Sequence, residues 1–260
     1  MTVPIATDLW LRRYHPAPDS DVTLVCLPHA GGSAPYFRPL SALVSPVVDV
    51  LCVQYPGRLD RRNERPLVTI TDLAEEVTAA LRGLRDRRLV LFGHSMGACI
   101  AYEVARRLTS APSSTLLGVI ASGRCAPSRT RNNGVHLRDD DGVIGEIRAL
   151  DGTDPALLAD DDLIRMILPA VRSDYQAVET YTFQPGPPLP VPVSVLLGDA
   201  DPQVTVAEAG DWRGFTARGF RSRVFPGGHF YLAALQAEVA AAVIDDVQWF
   251  RTTEALPEEI

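Results

Sequence analysis

The chain has no lysine; all 25 basic residues are arginine. That bias points to a GC-rich genome and carries nothing about mechanism. Cysteine is scarce, with Cys26, Cys52, Cys99 and Cys125 alone, three of them in or beside apolar runs. No C-x-x-C pair and no Cys/His zinc spacing is present, so reduced, buried thiols are expected and a metal or disulfide framework is not. Positive charge is in deficit: 25 arginines against 32 acids give a net charge of −7, which argues against non-specific nucleic-acid binding. No apolar run is long enough to span a membrane. Arg12-Arg13 is followed by polar YHPAPDSD rather than an apolar segment, so no signal peptide is read and a cytoplasmic protein is expected. What is present is ordinary. A hydrophobic fraction of 46% over 260 residues suffices for one large domain, or a core with an insertion.

One stretch organises the rest. Leu89-Val90-Leu91-Phe92 has the length of a buried strand, and Ala98 to Leu108 has a helical pattern. Between them lies Gly93-His94-Ser95-Met96-Gly97. A G-x-S-x-G run between strand and helix is a nucleophile elbow. The turn is so tight that side chains two positions either side of the serine would clash, which calls for Gly93 and Gly97. Ser95 is then lifted clear of the sheet, and the N–H of Met96 points from a helix N-terminus toward negative charge forming beside it.

Around the elbow the chain alternates. Strands are expected at Val22–Leu27, Val47–Val53, Leu116–Ala121, Val193–Leu197 and Ser222–Phe225. Helices are expected at Tyr36–Val44, from Thr69 or Thr71 to Leu84, and from Tyr231 to Trp249 before a polar tail. This alternation implies an α/β fold: a mostly parallel sheet with helices on both faces. About 70 residues between Ala121 and Val193 break it, too many for one βα unit. Helical patterns at Val143–Leu150, Asp162–Val171 and Tyr175–Tyr181 make this interval, about 124–190, a helical lid over Ser95 in an otherwise single domain. Asp139–Asp141 and Asp160–Asp162 read as solvated helix starts.

A serine hydroxyl needs a base, and the base an orienting acid. Of five histidines, His229 follows the last strand in a loop freed by Gly227-Gly228, where a parallel sheet places active residues. The acid should lie between Ser95 and His229 after a strand, in the order Ser–Asp–His. Asp199 and Asp201 both qualify; Asp201, backed by Pro202, lies further out and is preferred, leaving Asp199 to stabilise the turn. The second oxyanion donor should come from residues 29 to 32, among which the pattern does not choose.

LPHAGGSA at 27–34, QYPGR at 54–58, GHSMGA at 93–98, GDADP at 198–202 and PGGHFYL at 226–232 together resemble the type II thioesterases. These are the stand-alone editing enzymes of polyketide and nonribosomal peptide assembly lines. The resemblance covers the whole core in order. It implies an α/β-hydrolase fold, Ser95 as nucleophile, His229 as base, Asp201 as acid, and the backbone N–H groups of Ala30 and Met96 as the oxyanion hole. It further implies hydrolysis of acyl groups from the phosphopantetheine arm of an acyl or peptidyl carrier protein, without metal or cofactor; a monomer is the default expectation. Two arginine groups are candidates for carrier docking: Arg58, Arg61, Arg62 and Arg65, and Arg124, Arg129 and Arg131. A carboxylesterase or lipase with the same triad, or a non-catalytic hydrolase-fold binding protein, are the alternatives; the absence of an HGGG-type oxyanion motif disfavours the esterase.

Overall fold

The computed structural model describes residues 9–84, 86–111, 114–129, 131–150 and 160–254. The first residues of the expected lead-in, the middle of the insertion and the end of the polar tail lie outside them. Seven strands form one sheet: β1 (Leu11–Arg12), β2 (Val22–Leu27), β3 (Asp49–Val53), β4 (Arg88–His94), β5 (Leu116–Ser122), β6 (Val193–Gly198) and β7 (Phe220–Phe225). Their order is β1-β3-β2-β4-β5-β6-β7. Only the β1–β3 pair is antiparallel. β2 and β4–β6 have no exposed face except at the start of β4, which is why they read as continuous apolar runs rather than alternating ones.

Alternate residues supply two cores. Val25, Leu27, Leu89 and Leu91 join the face covered by α2 (Ile70–Leu81) and α3 (Met96–Thr109). Leu24, Cys26, Val90 and Phe92 join the face covered by α1 (Arg38–Val44) and a long C-terminal helix, Gln236–Glu254. That helix comes so close that a Cβ on Gly118 would lie 2.6 Å from the Phe250 ring. Thr69 starts α2, its hydroxyl accepting from the Asp72 N–H at 3.0 Å. This is an α/β-hydrolase arrangement, with the elbow at the carboxyl end of the central strand β4.

The interval between β5 and β6 carries α4 (Asp140–Ala149) and α5 (Asp161–Glu179). Asp139 and Asp160 cap them, each accepting backbone N–H groups of the first turn. Two helical patterns were expected where α5 runs unbroken for 19 residues. The apparent gap at 172–174 is polar because Asp174 faces the body of the protein, where it is fully buried in a polar contact. The interval's own core is small: Val135, Val143, Ile164, Leu168 and Val171. It therefore depends on its attachment to the sheet domain more than the sheet domain depends on it. β1 lay unseen in the lead-in; two residues are too short for a pattern. The short helix α6 (Val206–Gly210), after β6, was also unexpected. The expected last helix is divided into α7 (Tyr231–Ala234) and α8 (Gln236–Glu254), and α8 takes in part of the expected tail.

Candidate active site

Ser95 stands at φ 54°, ψ −116°, a strained conformation for a residue with a side chain. Its N–H donates to the carbonyl of Ser122 on β5 at 2.8 Å. The glycines either side are obligatory on distance. A Cβ on Gly93 would lie 2.1 Å from the carbonyl oxygen of Gly97, and one on Gly97 would lie 2.0 Å from that of Leu27. The helix thus starts against the backbone of β4 and β2, with the half-buried Ser95 at the crest.

The loops after β6 and β7 are joined backbone to backbone. Asp199 and Ala200 donate to the carbonyls of Phe225 and Gly227 at 2.8 and 2.9 Å, and a Cβ on Gly198 would lie 2.3 Å from the Gly227 oxygen. The Asp199 carboxylate accepts from the Gly227 N–H at 2.9 Å. Asp201 is different: its two oxygens lie 3.0 and 2.9 Å from His229 Nδ1, and both side chains are almost fully buried. The N–H of Gln203 donates to Asp201 Oδ1 at 2.7 Å and fixes the carboxylate plane. With Nδ1 turned to Asp201, Nε2 is the nitrogen left for a proton in transit. His229 reaches the elbow: its Cε1 lies 3.3 Å from where a Cβ on Gly123 would stand, and its ring centroid is 5.0 Å from that of His94. The structure therefore brings together Asp201 and His229, and sets them beside the Ser95 turn.

His94 is buried, its Nδ1 2.9 Å from Ser122 Oγ, which is in turn 2.8 Å from the Tyr231 hydroxyl. His29 packs between Tyr36 and Phe230, with ring centroids 4.5 and 4.7 Å away. Burial, reinforced by the nearby His229, holds His29 down to about 3 and His94 well below the usual histidine range. Both stay neutral and neither competes with His229 as a base.

Of residues 29 to 32, two have their N–H groups engaged: Gly31 donates to Asp174 at 2.7 Å and Gly32 to the carbonyl of His29 at 2.9 Å. Among the described residues no acceptor takes the N–H of Ala30 or of Met96. A cavity of about 560 Å³ opens between this loop and α5, bordered by His29, Ala30, Arg58, Met166, Val171 and Phe230. A larger one, about 690 Å³, lies at the other end of the strands, between α2 and α3 near Leu89 and Leu116, remote from these groups. Among the described residues no cluster of three or more His, Cys, Asp or Glu could hold a metal ion, and no helix is long and apolar enough to cross a membrane.

The arginine groups differ in exposure: Arg62 and Arg65 are exposed, whereas others are engaged within the chain. Arg58 and Arg61 are buried: Arg58 pairs with Asp174, and Arg61 with Glu64 and the carbonyl of Gln54. Arg129 pairs with Asp211 and Arg131 with Glu208. Nothing in the sequence pattern marks Asp174. The one signal was the polar break in an apolar helical period, which reads equally well as the end of a helix.

Residues 22–248 match the family model described as Thioesterase domain. A probable cadicidin biosynthesis thioesterase of Streptomyces griseus is 48% identical over 241 residues, covering 91% of this chain and 66% of its own length. Thioesterase PikA5 of Streptomyces venezuelae is 47% identical over 242 residues, covering 93% of this chain and 86% of its own. Among solved structures, the type II thioesterase BorB of the borrelidin biosynthetic cluster superposes with a TM-score of 0.86 at 46% identity, over 92% of this chain and 97% of that one. With the elbow and its surroundings built as above, the chain belongs to the thioesterase domain family, and is a serine-hydrolase thioesterase of the type II class found in polyketide and nonribosomal peptide synthesis.

Proposed function

We propose that this enzyme hydrolyses acyl groups from the phosphopantetheine arm of an acyl or peptidyl carrier protein, clearing stalled or aberrant units from an assembly line in the cytoplasm. Ser95 Oγ attacks the thioester carbonyl while His229 Nε2 takes its proton. Asp201 holds the imidazole in the productive tautomer and stabilises the imidazolium. The N–H groups of Ala30 and Met96 hold the oxyanion. As the tetrahedral intermediate collapses, the C–S bond breaks and the imidazolium returns the proton to the departing thiolate. Water, deprotonated by the same nitrogen, then attacks the acyl-Ser95 ester; the C–O bond to Ser95 breaks, giving free acid and regenerated hydroxyl. All groups come from the chain itself, so no cofactor enters.

The observation that carries this reading is His229 Nδ1 set against both oxygens of Asp201 beside the strained Ser95 turn. The insertion, about 124–190, acts as a lid on an otherwise single domain. The largely apolar cavity beneath α5 receives the acyl chain, since it reaches both Ala30 and Phe230, the neighbour of His229. The test is mass spectrometry of an acyl-loaded carrier protein incubated with wild type and with Ser95→Ala. Wild type should remove the acyl group and leave the arm, and Ser95→Ala should not. Cleavage of free oxygen esters with the carrier untouched would replace the carrier substrate with a small-molecule ester.

A further inference from the structure

The Asp174 carboxylate on α5 is fully buried and meets the body of the enzyme at two points. It receives both terminal nitrogens of Arg58, at 2.7 and 2.9 Å, and the N–H of Gly31, at 2.7 Å. Arg58 is itself tied to the loops below, donating to the carbonyl of Gly32 at 2.9 Å and to that of Pro56 at 3.3 Å. Gly31, at φ +76°, has α5 pressed against it: Val171 Cγ2 lies 2.8 Å from the place a Cβ would occupy. The peptide that joins Ala30 to Gly31 is thus held by the insertion helix rather than by the sheet.

We propose that Arg58 and Asp174 are positioning residues, which fix the Ala30–Gly31 peptide and through it the orientation of the adjoining His29–Ala30 peptide, so that the Ala30 N–H faces the developing oxyanion. This rests on the assignment of Ala30 to the oxyanion hole made above. Two physical effects follow from the same contacts. The fork from Arg58 fixes the carboxylate, and the carboxylate fixes Gly31, so the oxyanion donor is preorganised only while α5 is seated. The charge matters as well. A bare carboxylate one peptide away from the hole would oppose the negative charge that forms there, and Arg58 neutralises it. Removing Arg58 therefore both loosens the donor and adds a repulsion. Removing the charge of Asp174 loosens the donor but leaves the Arg58 charge uncompensated, which favours the oxyanion.

The test is steady-state kinetics of wild type, Arg58→Gln, Asp174→Asn and the double variant on a short acyl-pantetheine thioester, with circular dichroism at the assay temperature. Arg58→Gln should lower kcat about 30- to 100-fold, below the full loss of an oxyanion donor, with KM within about threefold. Asp174→Asn should lose less, and the double variant should recover part of the Arg58→Gln loss. The pH of half-maximal kcat should not move, because His229 and Asp201 are untouched. If Arg58→Gln does not fold, Arg58→Lys, which keeps the charge and loses the fork, should show a loss of about three- to tenfold in kcat. A folded Arg58→Gln or, in its place, Arg58→Lys with wild-type kcat would overturn the proposal, as would a loss confined to KM. Wild type inert toward the thioester would remove the reading beneath it, an outcome separate from active wild type with insensitive variants.

Discussion

The two halves of the site are held in different ways. The acid–base half, Asp201 and His229, hangs from loops of β6 and β7 that bond to each other backbone to backbone. The loop of Ala30, proposed as one side of the oxyanion hole, leans on a helix from the insertion through one buried ion pair and one packed glycine. A half built by the sheet is present whenever the protein is folded. A half completed by the insertion is present only when that segment is seated, and the segment has little core of its own to keep it there. On the proposed assignment, proton transfer and the Met96 donor are constitutive, while the Ala30 donor is conditional.

Perturbing each half separately sharpens that contrast. The largest effect should come from the sheet-built half: Asp201→Asn should lower kcat about 10⁴-fold through loss of the productive imidazole tautomer, with little change in Tm. Stopped-flow or steady-state assay with parallel thermal melts would check both parts, and a large fall in Tm would show that the carboxylate also holds the loops. Next in size is a stability effect at the insertion. Arg58→Met strands a carboxylate in the interior and should cost about 3–5 kcal/mol in denaturant unfolding, whereas Arg58→Met with Asp174→Leu should regain most of it. Additive losses in the double variant would deny that the two residues act as a pair.

A third effect concerns acid. His29 and His94 refuse protons that the unfolded chain accepts, since their folded pKa values lie below the unfolded one. Each therefore contributes stability that is present above about pH 6.5 and lost as pH falls toward the folded value, by up to about 1.4 kcal/mol per pH unit. His29→Phe should flatten the stability profile between pH 6.5 and about 3; an unchanged slope would mean that this imidazole titrates freely. The smallest effect should be Thr69→Ala, far from either half. Loss of the cap on α2 should cost about 1 kcal/mol and leave kcat unchanged.

The same division governs what could be read in advance. The elbow is legible because backbone clashes at Gly93 and Gly97 leave no other residue type, so the constraint is printed in the chain. The loop that carries His229 is legible for its paired glycines and its place after the last strand. The choice between Asp199 and Asp201 is less so: both follow β6, and only the fold shows one carboxylate on a backbone N–H and the other on an imidazole. The pairing of Arg58 with Asp174 is illegible. The two residues are 116 positions apart, and an arginine destined for the interior looks like one destined for solvent until its partner is known. The polar residue that joins the insertion to the body also interrupts the helical period that would have revealed α5 as one helix.

The four cysteines, Cys26, Cys52, Cys99 and Cys125, are free and buried. With no lysine in the chain, this surface is nearly blank to the common bioconjugation reagents. Met166 on α5 is 56% exposed and borders the cavity. Met166→Cys would therefore accept a maleimide dye or spin label at a single place. The segment on which the Ala30 loop leans can then be watched by fluorescence or resonance during turnover, without first stripping the enzyme of its own thiols.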